Sequence, residues 1–229
     1  MPNIVKNTTF TNPLDLLAPH SCRGCDALGS ALCDRCKKYI LTHQHNLCPH
    51  CKADNPTGDC PACPDLPPTF IGGERSGLLG DIIHDYKYHS IRALAYPLAE
   101  IMAHALPTFQ QPTYIVPLPT ISSHIRTRGF DHTLLVARRL SKLTSYPVRS
   151  LLIRAKNTVQ VGATSTTRRK QASTAYQLSP KCLIDQEAIY ILLDDVWTTG
   201  ASIRACQKLL EKAGATHLAL ALLSLSRIN

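Results

Sequence analysis

The sequence predicts an α/β protein built on a parallel sheet flanked by helices, preceded by a small metal-binding module. Three observations carry that expectation. Ile189 to Leu193 is an unbroken apolar and aromatic run that ends at Asp194-Asp195, as for a strand covered on both faces. After a turn of small residues, Ile203, Cys206, Leu209, Leu210 and Ala213 recur at helical spacing, and Gly214 is placed to end that helix. Eight of the ten cysteines fall in four C-x-x-C pairs before residue 64.

The 229 residues suffice for one sizeable α/β domain and a small module, and 44% hydrophobic content is ordinary for a globular protein. No apolar run is long enough to span a bilayer, and Met1 to Pro13 lacks an apolar signal core. A reducing, cytoplasmic location without membrane insertion is expected, with the cysteines serving metal rather than disulfides.

The four pairs are Cys22/Cys25, Cys33/Cys36, Cys48/Cys51 and Cys60/Cys63. Each offers two thiolates from one tight turn, and two such knuckles complete a tetrahedral shell for Zn²⁺. Two structural zinc ions are expected. Sequential pairing joins the first knuckle to the second and the third to the fourth; crossed pairing is equally open to the spacing. All-thiolate shells leave no coordination position for water, so the metals are expected to be staples rather than catalysts. Few large apolar residues lie in this stretch, so metal ligation must supply its folding free energy. His20, His43, His45 and His50 are surplus to eight thiolates and are expected at the surface or beside the shells. Pro64-Asp65-Leu66-Pro67-Pro68 then breaks regular structure. The boundary is drawn there: residues 1–68 form the zinc module and residues 69–229 the α/β domain.

Beyond it, Leu78, Leu79, Ile82, Ile83 and Tyr86 make one helical stripe. A second helix is expected from about Ile91 to Leu106, with Leu94, Leu98, Ile101 and Met102 inward. Thr113 to Val116 reads as a short strand ending in Pro117-Leu118-Pro119. A loop bearing Arg126 and Arg128 leads to a helix from about Asp131 to Leu143, which Asp131 caps. Ala155 to Ala175 is basic and without periodicity, and carries Arg168 and Arg169; it reads either as a functional loop closing over a polyphosphate or as a disordered surface loop with incidental charge. Cys206 falls on an apolar helix face and reads as a small core residue.

Net charge is +9, unevenly placed. Residues 1–70 are neutral, whereas residues 121–181 hold twelve Lys/Arg against one acid, Asp131. Such a segment draws phosphates, whether of a pyrophosphate or of a nucleic-acid backbone.

The sharpest chemical signal is the turn after the apolar strand. Thr198, Thr199, Gly200, Ala201 and Ser202 let backbone N–H groups approach an anion, and the following helix contributes the positive end of its dipole. Asp194 and Asp195 cannot bind that phosphate, but suit ribose hydroxyls, directly or through Mg²⁺. No GxGxxG and no Gly-Lys-Ser/Thr are present, which excludes the dinucleotide and Walker readings.

The stretch Tyr190 to Ser202 resembles the phosphoribosyl pyrophosphate (PRPP) signature of type I phosphoribosyltransferases. The chain as a whole resembles the ComF family of competence proteins, in which a double zinc-ribbon-like N-terminus precedes such a domain. The landmarks are His84-Asp85-Tyr86-Lys87-Tyr88, Val116-Pro117-Leu118-Pro119, Arg128-Gly129-Phe130-Asp131-His132, and the set Gln160, Arg168, Gln171 and Tyr176. Asp131 and His132 stand where the family has Asn and Gln, Gln171 where it has Asn, and Ala163 where Leu is usual. The resemblance implies a role in natural transformation, handling incoming single-stranded DNA beside a helicase-like competence protein. It also implies PRPP with magnesium as ligand: Asp194 and Asp195 on the ribose, Thr198 to Ser202 on the 5′-phosphate, Arg126 and Arg128 on pyrophosphate, and Arg168 or Arg169 closing over it.

Three functions compete. One is a phosphoribosyltransferase acting on an unidentified acceptor. Another is a DNA-binding adaptor in which Phe130, Tyr146 and Tyr176 stack bases beside arginines. The third is a scaffold with a vestigial nucleotide site. Trp197 and Phe130 are candidates to stack on an acceptor base, Trp197 equally a candidate for the core.

Overall fold

The computed structural model describes residues 20–155 and 175–226. Helix α1 (Asp34–Thr42) lies in the cysteine-rich region. Strand β1 (Thr69–Ile71) opens the sheet region, followed by α2 (Gly77–Tyr88), a 3₁₀ turn (Arg92–Leu94) and α3 (Ala95–Ala105). Next come β2 (Thr113–Pro117), α4 (Ser122–Arg128) and α5 (His132–Thr144). The short strands β3 (Leu152–Arg154) and β4 (Tyr176–Leu178) pair antiparallel. The chain ends in β5 (Ile189–Trp197), α6 (Ala201–Lys212) and β6 (His217–Leu225).

The main sheet has the order β1-β6-β5-β2, and every pairing in it is parallel. Its two central strands are apolar except for Asp194 and Asp195 near the end of β5 and for His217 and Ser224 in β6, which is the pattern that burial on both faces requires. Ile189, Ile191 and Leu193 pack with residues of α2, α3 and α5. Tyr190 and Leu192 pack with Ile203, Cys206 and Leu210 of α6 and with the β3–β4 pair. The parallel sheet flanked by helices, with two Cys₄ clusters at its N-terminal side, agrees with the architecture expected from the sequence.

Most differences are local. The helix expected from Ile91 begins as a 3₁₀ turn and becomes α-helical only at Ala95, while Leu94, Leu98, Ile101 and Met102 are all buried as expected. The segment expected as an arginine-bearing loop is partly helical: α4 runs to Arg128 and stops at Gly129, whose φ of 76° lies in the left-handed region that glycine adopts without strain. Strand β5 continues past the carboxylates to Trp197, because Val196 and Trp197 still pair with Ser224 and Leu225 of β6. The turn therefore begins at Thr198.

The cysteine-rich region docks on the helical face of the sheet. Ala31, Leu32, Cys36 and Ile40 join the same core as α2 and α3. Polar ties reinforce this contact. Lys37 bonds both oxygens of Glu100 at 2.8 Å, and Arg23 Nε donates to Asp85 Oδ2 at 2.6 Å. Asn46 accepts from the Ile71 N–H and donates to the Thr69 carbonyl, stitching the region to β1.

Candidate functional site

Side chains of a strand alternate between faces, so the adjacent residues Asp194 and Asp195 leave β5 on opposite sides. Asp195 continues the row of Ile191 and Leu193, and meets α2 and α5. Asp194 continues the row of Tyr190 and Leu192, toward α6. Both reach the C-terminal edge of the sheet, where open parallel sheets place their ligands. There they line a cleft of about 490 Å³ with Lys87, Arg128, Arg154 and Ser202. The loop after β2 forms the opposite wall through Pro119, Thr120 and Ile121, held next to β5 by the Leu118 N–H on the Leu193 carbonyl.

Asp195 is closely held. Lys87 Nζ lies 2.6 Å from its Oδ2, and His132 Nε2 lies 2.7 Å from the same atom. Arg128 Nη1 sits 3.0 Å from His132 Nδ1. A guanidinium has only hydrogens to give, so His132 Nδ1 accepts, and the proton on Nε2 is donated to Asp195. Burial acts to raise the Asp195 carboxyl, but His132 and Lys87 outweigh it and hold the group well below the ordinary carboxylate range. Asp194 goes the other way. Burial and the neighbouring Asp195 charge push it up to about 8, although part of the residue still reaches solvent. The two neighbours are thus driven in opposite directions, Asp195 toward its charged, paired form and Asp194 toward its protonated form.

The turn after β5 forms a smaller pocket of about 50 Å³, bounded by Thr198 to Ser202. Gly200 caps α6 with φ 70° and offers no side chain to the first helical turn. The Ala201 N–H reaches Thr199 Oγ1 at 3.4 Å, and the following N–H groups of the turn face the pocket end of the helix, where anions bind. A Cβ on Gly200 would run into the Trp197 ring, which lies beneath the turn. Trp197 is only 4% exposed, and Arg204 stacks over it at 5.6 Å. It is a floor for the turn rather than a base-stacking surface. Ser202 and Tyr176 both line the larger cleft, and the Tyr176 hydroxyl accepts from Arg154 Nη1 at 3.0 Å.

Among the arginines read from the sequence, Arg128 lines the cleft and Arg126 does not, because the helical register of α4 sets it outside. Arg168 and Arg169 lie outside the described residues, as do Gln160, Ala163 and Gln171. Asp131 caps α5, accepting from the Leu134 N–H at 3.1 Å and from Thr120 Oγ1 at 2.9 Å, so its charge is engaged away from the carboxylate pair. Lys87, His124, His132 and Arg154 were not read as site residues. Lys87 and His132 lay in motif positions, which was the one available signal; Arg154 comes from a three-residue strand with no pattern. The expected stacking residues Phe130 and Tyr176 are buried, and Tyr146 is part-buried with its hydroxyl taken by the Phe109 N–H. Tyr88 is instead 58% exposed at the cleft edge, with Arg128 5.8 Å above its ring.

The eight cysteines gather as Cys22/Cys25/Cys33/Cys36 and Cys48/Cys51/Cys60/Cys63, the sequential pairing. Each set brings four sulfurs within 4.8 Å of one another, a donor set suited to Zn²⁺. N–H groups of Gly24 and Cys33 point at Cys22 Sγ at 3.4 and 3.3 Å. Hydrogen bonds from the Ala27 backbone and Arg35 bring the Cys25 thiol down to about 6. The Ala53 backbone and Cys60 bring Cys51 to about 7. These clusters can hold two structural zinc ions. His20, His43, His45 and His50 are exposed, and Cys206 is a buried core residue.

No family model matches the chain. Competence protein F of Haemophilus influenzae is 27% identical over 203 residues, covering 82% of this chain and 88% of that protein. Competence protein ComFC of Streptococcus pneumoniae is 22% identical, covering 81% of this chain and 84% of that one. With two Cys₄ clusters ahead of a parallel α/β sheet, the chain is similar to these competence proteins in layout as well as in sequence. The chain fits the ComF family. Among solved structures, the glutamine PRPP amidotransferase of B. subtilis shares 14% identity at a TM-score of 0.42, over 61% of this chain and 30% of that one. A hypoxanthine phosphoribosyltransferase of Staphylococcus aureus shares 14% at 0.35, over 59% of this chain and 62% of that one. No helix among the described residues is long and apolar enough to cross a membrane.

Proposed function

We propose that this ComF-like protein acts in natural transformation, handling incoming single-stranded DNA, and that its cleft binds PRPP with magnesium. The observation that carries the PRPP reading is the juxtaposition of the Asp194/Asp195 pair with the Thr198–Ser202 pocket at the start of α6. The 5′-phosphate takes the N–H groups of that turn, Asp194 takes the ribose hydroxyls, and Lys87 and Arg128 meet the pyrophosphate. Magnesium, when bound, spreads the charge of the pyrophosphate. Asp195 steadies the ribose from below while Lys87 and His132 fix its position. Arg126, Arg168 and Arg169 are assigned to the outer phosphates by family resemblance alone.

DNA contact is supported by the outward face of α5, where Arg138, Arg139 and Lys142 are exposed, and by Tyr88 at the cleft edge. A helicase-like competence protein is the expected protein partner, and a cytoplasmic setting, where thiols are kept reduced, belongs to the same proposal. The division into a zinc module, 1–68, and a PRPP-binding domain, 69–229, belongs to the same reading. A second reading, transfer to an unidentified acceptor, is favoured by the room left in the cleft between Tyr88 and the carboxylates.

Calorimetry with Mg·PRPP on the wild type and on Asp194→Ala tests the cleft. Binding in the first and its loss in the second is the expected result, and no heat with the wild type refutes it. Oligonucleotide affinity against salt tests the DNA contact, with log K expected to fall linearly with log salt. Turnover of PRPP over a panel of bases and DNA separates transferase from adaptor, and silence in both assays leaves the scaffold.

A further inference from the structure

We propose that His84, Asp85 and His89, at the end of α2, form a third metal site that takes a divalent first-row ion, Zn²⁺ foremost. Asp85 and His89 stand one helical turn apart, which puts them on one face. His89 Nδ1 lies 2.7 Å from Asp85 Oδ1, and His84 Nδ1 lies 3.9 Å from the same oxygen. The three donor atoms are all within 4.8 Å of one another. Ligand bonds to zinc are about 2.0–2.2 Å, so small rotations of the two imidazoles close a His₂Asp set around an ion. Both imidazoles are more than half exposed and free to make that adjustment.

The carboxylate is the fixed point of the site. Asp85 is 8% exposed, and Arg23 Nε holds its Oδ2 at 2.6 Å, leaving Oδ1 turned to the histidines. A ligating carboxylate whose second oxygen is hydrogen-bonded is the usual supported arrangement around a bound metal. Imidazole with carboxylate selects zinc, nickel or copper over magnesium or calcium. Three protein ligands leave coordination open, unlike the closed Cys₄ shells. His89 also lines a hollow of about 440 Å³ with Arg23, Ser90 and Arg92, so an ion there has room for water. Because Arg23 belongs to the first cysteine knuckle and Lys87 to the same helix as Asp85, the ion would sit between the zinc module and the cleft.

The test uses the full chain with both Cys₄ shells loaded with zinc, its metal content measured before titration. Cobalt is then added and followed by absorption and calorimetry. One further equivalent is expected, with ligand-field bands but without the thiolate charge-transfer band of a cysteine shell. Zinc should displace it. His84→Ala and His89→Ala should each weaken that binding tenfold or more, and the double variant should abolish it. His43→Ala, an exposed histidine elsewhere, should leave it unchanged. Circular dichroism confirms that each variant folds. The proposal is overturned if the wild type takes no saturable third ion, or if the third ion binds equally well to the double variant.

Discussion

Residues 22–63 gather two sets of four thiols under modest apolar cover, whereas β5 presents two carboxylates at the end of five almost fully buried residues. In the first region, the donor sets point to metal ligation by the polar groups themselves as the driving force. In the second, apolar packing supplies it, and the polar groups are carried into place at some cost. The difference means that each region should fail separately. A chelator should undo the first and leave the second standing, and a cavity in the sheet should do the reverse.

Zinc removal is the largest expected effect. Structural zinc contributes on the order of 10–16 kcal/mol of apparent binding free energy, and the apolar support of the cysteine region rests mainly on Ala31, Leu32, Cys36 and Ile40. A chelator should strip hydrogen-exchange protection from residues 22–63 while β5 and β6 keep theirs. Metal content before treatment should be two ions per chain, apart from any held by His84, Asp85 and His89. Loss of protection across the whole sheet would show that the two regions are a single cooperative unit.

The converse is a core truncation. Leu192 is fully buried in the middle of β5, so Leu192→Ala should cost about 2–5 kcal/mol in denaturant unfolding. Its Cys₄ metal content should equal that of the wild type under native conditions. Metal loss in this variant would contradict independent failure.

Legibility in the sequence follows the same division. The cysteine spacing announced two metal shells because C-x-x-C is a local geometry, but it left their pairing open, and only the packed chain resolves it. The β5 pattern announced itself because both faces are buried and the run is continuous. The carboxylate pair and the small-residue turn were legible as types of residue in order. What they touch was not. Lys87 and His132 reach Asp195 from two different helices, 108 and 63 positions away, and no periodicity records such a meeting. Strands β1, β3 and β4 are three residues each, too short to show alternation. The helix α4 escaped because Ser122 to Arg128 buries no residue and so has no apolar stripe.

A finer comparison lies within the carboxylate pair. Asp195→Ala leaves the part-buried Lys87 ammonium without its anion; breaking a fully buried pair costs about 3–5 kcal/mol, which is the upper bound here because Lys87 lines the open cleft. Asp194→Asn should act in the opposite sense, with a pH dependence that identifies it. The folded protein keeps the Asp194 proton up to about 8, whereas the unfolded chain releases it near the ordinary carboxylate value. Between those values the folded state holds more protons, so this group's contribution is whole at low pH and is lost as pH rises through about 8. Asn cannot ionise, so Asp194→Asn should gain on the wild type as pH rises across that window. Asp195 has the reverse slope: its contribution is present above the ordinary carboxylate range and disappears as pH falls. Urea midpoints measured from acid to mildly alkaline pH read both, and parallel pH profiles for Asp194→Asn and the wild type would refute the assignment.

The smallest effect tests the seam between the regions. Lys37, on α1, bonds both oxygens of Glu100, on α3, and also lies 3.2 Å from the exposed Asp34. Both partners in the Lys37–Glu100 pair keep some solvent access, so the pair belongs with interactions worth about 0.2–1 kcal/mol rather than with the more deeply buried Lys87–Asp195 pair. A double-mutant cycle with Lys37→Met and Glu100→Gln should return a coupling energy in that range, diminished by added salt. After chelation the coupling should vanish, because α1 then no longer presents Lys37 to α3. A coupling that survives zinc removal would mean that α1 stays docked by its apolar contacts through Cys36 and Ile40, and that the metal organises only the knuckles around it.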